Sequence, residues 1–193
     1  IPDKIFINPK LPPLKYLRWA SLLKDQSPQE AAQILKELKM DDDTMDKVKL
    51  LVKMCPLPIG LTPAQIRRAM SQMPDELFDS LLLLKRSLTA CQETAAESEN
   101  IQTADTIPDK TLSPLQELDQ IQRTVREIRL RGDCTNLKML AVTGNDLITY
   151  GMKPGKQLGE NKKNLLNLVL EHPELNQKET LLTILKQERG GAQ

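Results

Sequence analysis

The chain has 193 residues, a formal net charge of +1, 39% hydrophobic and 27% charged residues. This is a globular composition, long enough to bury a core without disulfides or a structural metal. No apolar run approaches the ~18 residues needed to span a bilayer, and one histidine with three scattered cysteines excludes a zinc finger or multi-His metal site.

Aromatics are only 3% and glycines number eight, which argues for Leu-rich helices over a β-sandwich. Helix-start signals recur along the chain. Ser27-Pro28-Gln29-Glu30 reads as a capping box with Pro at the first helical position. Thr62-Pro63-Ala64-Gln65 and Ser113-Pro114-Leu115-Gln116 follow the same grammar, and Asn176-Gln177-Lys178-Glu179 is similar to it. Between them the apolar spacing is helical: Ile34, Leu35, Leu38; Met45, Val48, Leu51, Val52; Leu77, Leu81, Leu84, Leu88; Leu118, Ile121, Val125, Ile128. Helices are predicted near 14–25, 28–39, 43–54, 63–72, 75–95, 114–131, 146–150, 156–171 and 177–187. The expected fold is all-α, a multi-helix bundle or array. An N-terminal helical bundle (1–92) is followed by a polar linker or loop (93–113), whose first part can extend the preceding helix. A C-terminal helical region (114–193) follows, with a helix–turn–helix hairpin.

Residues 1–109 carry 14 Lys and Arg against 16 Asp and Glu, whereas 110–193 carry 13 against 10. An anionic partner would therefore meet the C-terminal half. There is no basic n-region with an apolar h-region. Scattered unpaired thiols (Cys55, Cys91, Cys134) suit a reducing cytoplasm. The chain starts at Ile1 without Met and reads as a piece of something longer.

Two segments carry candidate chemistry. In Leu140–Gly159 a short helix is expected from Asp146, which can cap it, with Gly151 as a left-handed stop. Lys153-Pro154-Gly155 then turns the chain into a helix starting near Lys156. Unpaired N–H groups of Gly155, Lys156 and Gln157 at the positive end of the helix dipole form a natural phosphate site. Lys163 falls seven residues beyond Lys156 on the same face, and Gly159 permits close approach by a phosphate or a packed neighbour. The pattern is like a helix–hairpin–helix phosphate clamp, or equally an ordinary turn between two helices. The second segment is Arg123, Arg126, Arg129 and Arg131. With Leu118, Ile121, Val125 and Ile128 inside, Arg123 points away from the core and Arg126 flanks it. They can contact nucleic-acid phosphates, or simply be solvated and compensate the dipole. His172, before Pro173, would complement the end of its helix. Trp19 is expected in the core.

G-N-D-L, then G-x-K-P-G-K-x-L-G, then N-L-L-N-L-V-L-E-x-P-E-L-N-x-K-E-x-L-L resembles the C-terminus of bacterial CCA-adding tRNA nucleotidyltransferases. The match runs over 137–185; upstream, L-R-W-A-S-L-L-K-D and the helices to about Arg86 resemble the middle of that family more weakly. The resemblance implies a helical body and tail that hold the tRNA acceptor stem and elbow through the sugar–phosphate backbone. By the same resemblance a catalytic head and a nucleotide-selecting neck would precede it. The head's D-x-D carboxylates and the neck signature are missing. Asp41-Asp42-Asp43 opens a helix, where acids complement the dipole. Mg²⁺ and CTP or ATP are thus expected for a whole enzyme, with no cofactor and no activity for this piece alone. Some relatives carry H-D in a segment like L-L-H-D-I-G-K; here it reads Leu22-Leu23-Lys24-Asp25, so a degenerate phosphohydrolase-like region without activity is expected. The resemblance makes tRNA and the missing head and neck the partners, with a homodimer possible and no membrane. The alternative is a helical protein-interaction, head-docking or dimerisation module without RNA contact. The contacts expected for RNA phosphates are Lys153, Gly155, Lys156, Lys163, Arg123 and Arg126.

Overall fold

Helix starts are written clearly in this sequence, and the computed structural model places helices at them. It describes residues 11–99, 112–152 and 154–190, with side chains for 11–91, 112–152 and 154–187. In chain order the helices are α1 (Lys15–Leu22), α2 (Pro28–Glu37), α3 (Asp42–Met54), α4 (Pro63–Met70), α5 (Asp75–Glu99), α6 (Pro114–Arg131), α7 (Gly144–Thr149), α8 (Lys156–Glu171) and α9 (Lys178–Gly190), with a 3₁₀ turn at Pro173–Leu175. Among the described residues there is no strand, so the fold is all-α.

The capping boxes form as predicted at Ser27/Glu30, Thr62/Gln65 and Ser113/Gln116. Each satisfies backbone donors that a helix start leaves unpaired. Two expected caps take other roles. Asp146 does not cap α7: Thr143 does, Asp146 is the reciprocal partner three residues on, and the helix starts two residues earlier, at Gly144. Asn176 does not cap α9. Its amide accepts from Ala141 N at 2.8 Å and donates to the Met139 carbonyl at 3.0 Å, pinning the loop before α7.

Three helices end in the same way. The residue after the cap turns left-handed, and two backwards N–H bonds close the last turn. At α7 these are Gly151 (φ 93°) to Ile148 O and Met152 to Leu147 O. At α6 they are Gly132 (φ 70°) to Arg129 O and Asp133 to Ile128 O. At α2 the left-handed position is held by Lys39 (φ 53°), a residue that meets a steric cost there.

The chain divides into two compact units. The first comprises residues 1–59 and 73–122; the second comprises 60–72 and 123–193. In the first unit α1 and α2 lie against α3, and α5 lies against α1 and α3. Leu17, Ala20, Ala31, Leu35, Val48, Leu51, Phe78, Leu81 and Leu84 fill its core. Trp19 does not: Leu17 and Ala20 take the inward stripe of α1, leaving the indole beside it and partly exposed. In the second unit α8 meets α4, α7 and the 3₁₀ turn. Its core is aliphatic, with Leu140, Val142, Leu147, Leu165, Val169, Leu170, Leu181 and Leu185 around Cys134. Among the described residues no helix is long and apolar enough to cross a membrane.

Candidate nucleic-acid interface

The start of α8 is built by glycine. Gly155 is its N-cap at φ 140°, ψ −163°, a backbone region that side chains disfavour. No side chain caps this helix. Leu158 N bonds back to the Gly155 carbonyl at 3.2 Å, whereas the N–H groups of Lys156 and Gln157 have no partner among the described residues, at the positive end of the dipole. Lys156 is 93% exposed, 3.8 Å from Glu160, a surface pair of little strength. Lys163 is exposed two turns further along the same face. A Cβ at Gly159 would meet nothing within 4 Å, so no packed neighbour requires that glycine and its surface stays open. Lys153, the sixth of the expected contacts, lies outside the described residues.

Arg123 and Arg126 are both exposed on α6, while Val125 and Ile128 beside them are buried. The apolar stripe of α6 thus turns these arginines outward, and neither is ion-paired among the described residues. Arg131, by contrast, is tied to Asp133 at 3.3 Å.

All six expected contacts belong to the second unit. That unit holds 14 Lys and Arg against 8 Asp and Glu, a net +6, while the first holds 13 against 18, a net −5. The near-zero total conceals this segregation. Dividing the sequence at its linker recovers only part of it, because Arg67 and Arg68 join the second unit from α4.

Arg67 is the residue that sequence reasoning missed. Its guanidinium is buried, donating from Nε to Leu170 O at 2.8 Å, from Nη2 to Glu171 O at 3.2 Å and from Nη1 to Asp133 Oδ2 at 3.0 Å. It satisfies carbonyls that the end of α8 leaves open and opposes the negative end of the helix dipole. The neighbouring Arg68 pairs with Glu171. Nothing in an Arg-Arg pair on a short helix distinguishes the buried member. The only signal is that Ile66 and Met70 bracket position 67 on the apolar face.

The acidic run at Asp41–Asp43 is committed locally. Asp41 caps α3 by accepting from Thr44 N, and Lys15 bonds its other oxygen at 2.8 Å. The Lys15 ammonium, together with the Thr44 bonds, holds this carboxyl well below the usual range. Asp43 pairs with Lys47. These residues do not fit a magnesium–nucleotide site, and among the described residues no three His, Cys, Asp or Glu side chains converge as metal ligands. Lys24 and Asp25 pair with each other in the turn after α1. His172 is the C-cap of α8 and lies 3.1 Å from Glu174.

These features define an all-α protein with a cationic second unit and an uncapped helix start on it. The family model for tRNA nucleotidyltransferase domain 2 matches residues 15–185. The chain belongs to that family. No curated protein matches it, and no solved structure does.

Proposed function

We propose that this chain is the tRNA-binding body and tail of a CCA-adding tRNA nucleotidyltransferase of bacterial type. It clamps the acceptor and elbow backbone so that the 3′ end reaches a catalytic head outside this sequence. The observation that carries the reading is the +6 of the second unit, where every expected contact lies. Family membership supports it. Arg123, Arg126, Lys156 and Lys163 supply exposed cations, the Gly155 start of α8 supplies backbone donors, and Lys153 of the sequence is a further expected contact. Recognition by shape and backbone suits a protein that serves many tRNAs, because A-form RNA hides its major-groove edges. The head and neck of the same polypeptide would bring Mg²⁺ and CTP or ATP. The piece alone is inactive, and its setting is the cytoplasm.

Binding to bulk tRNA, an acceptor–TΨC minihelix and duplex DNA across a salt series tests this. Preference for tRNA and the minihelix, with log affinity falling linearly in log salt, is the expected result. Lys153→Ala with Lys156→Ala should weaken all tRNAs alike. Unchanged affinity in that double variant at low salt removes the phosphate-clamp assignment.

A second reading concerns the first unit. Leu14 and Leu22 around α1 and Leu38 after α2 are exposed, and the unit is net acidic. These residues favour a head-docking or dimer face there, without RNA. Sedimentation of the chain alone and with the head distinguishes the two.

A further inference from the structure

The sequence has five aromatic side chains, and only Tyr150 falls in the second unit. Among the described residues that unit's core holds no aromatic ring, and Tyr150 stands outside it, 38% exposed. An aromatic ring buries more apolar surface than any residue of that core, so leaving it at the surface forgoes stability. Its hydroxyl has no hydrogen-bond partner among the described residues. Nothing local explains the exposure.

The ring is nevertheless held on a firm base. Tyr150 is the C-cap of α7, its N–H bonded to Asp146 O at 2.9 Å. The Thr143/Asp146 box closes the front of α7 and the Gly151 turn closes its back. Lys178 bonds Asp146, and Asn176 pins the loop before it. Six residues downstream stands Lys156, so ring and cation are separated by at most about 20 Å of chain. An exposed aromatic on an anchored backbone, six residues from an exposed cation in a +6 unit, matches the chemistry of an unstacked nucleobase: a π face for the base and positive charge for its phosphates.

We propose that Tyr150 is a base-stacking residue, and that the second unit selects RNA presenting an unstacked base over continuous duplex. This rests on the RNA-binding reading above and adds a ligand feature that backbone contacts cannot supply.

The test compares the full chain and its Tyr150→Ala and Tyr150→Phe variants on two RNAs: a blunt duplex, and the same duplex with a short 3′ extension containing 2-aminopurine. A stacked base is worth about 1–3 kcal/mol, so Tyr150→Ala should lose about five- to 150-fold on the extended RNA. It should leave the blunt duplex and the salt slope unchanged. Tyr150→Phe should match the parent, since stacking needs the ring and not the hydroxyl. The 2-aminopurine fluorescence should be quenched by the parent and by Tyr150→Phe, but not by Tyr150→Ala. Equal losses on both RNAs, or no loss on either, overturn the stacking assignment alone. Failure of the parent to bind either RNA overturns the RNA-binding reading and this one with it.

Discussion

Arg67 and Asp133 form a buried ion pair: 3.0 Å apart, with side chains 5% and 7% exposed. The same guanidinium also holds the last carbonyls of α8. All three nitrogens of the fork therefore donate, one to a buried acceptor and two to part-buried ones. Breaking a buried pair from one side costs about 3–5 kcal/mol, here at the low end because Arg131 still faces Asp133 at 3.3 Å. Arg67→Met should lower the unfolding free energy by that amount in urea titration. Arg67→Lys should recover only part, because an ammonium cannot reproduce a planar fork reaching three acceptors. Joint replacement of Arg67 and Asp133 by apolar residues should cost less than Arg67→Met alone.

The left-handed helix ends allow strain to be separated from packing. At Gly151 and Gly132 an added Cβ would meet nothing within 4 Å. Gly151→Ala should still destabilise by roughly 1–2 kcal/mol, because the positive φ alone is unfavourable for an L side chain. Lys39 occupies the equivalent place after α2 with a side chain present. Lys39→Gly should raise stability by up to about 1 kcal/mol, the relieved strain being partly offset by glycine's greater freedom when unfolded. Thermal melts of the two variants should move in opposite directions.

Asn176 joins two pieces of backbone through one amide. Asn176→Ala removes both bonds and leaves the part-buried Ala141 N–H without its acceptor. A cost of about 1–3 kcal/mol follows. Hydrogen exchange at the Ala141 amide should accelerate well beyond the global change, and the α7 amides should follow.

Asp146 makes stability depend on acid. The Lys178 ammonium, then the Thr143 hydroxyl and N–H, hold its carboxyl well below the usual carboxylate range. A carboxyl depressed by folding binds its proton first in the unfolded chain. Its contribution is therefore complete above the unfolded value of about 4 and fades as pH falls below that. Asp146→Asn should reduce the melting temperature at pH 7 and flatten its decline between pH 4 and pH 2. An unchanged acid slope in that variant would remove the assignment.

Much of this architecture is legible because its determinants are local. Ser27, Thr62 and Ser113 announce helix starts through bonds reaching three residues. Gly151 announces a stop through one dihedral angle, and the stripe Ile121–Val125–Ile128 orients α6 and turns Arg123 and Arg126 outward. What stayed hidden depends on distant partners. Asn176 has the local form of a cap, but its amide finds better-placed groups in the 139–141 loop. Trp19 has the composition of a core residue, but Leu17 and Ala20 hold the inward stripe of α1. Arg67 reads as a surface cation because its three acceptors lie far along the chain. The charge segregation was half visible for the same reason, since α4 contributes its two arginines to a unit it does not adjoin in sequence.

The bond from Arg67 to the Leu170 carbonyl spans 103 positions. Synthesis at about 5–20 residues per second puts roughly 5–20 s between the appearance of the two groups. Throughout that interval α4 has its apolar face and its arginine but not the helix end they are shaped to receive. The second unit can close only once α8 has been made. A ribosome stalled in α8 would therefore display a finished first unit and an open second one. A protease pulse on such nascent chains should cut within 60–72 and spare α1 to α3.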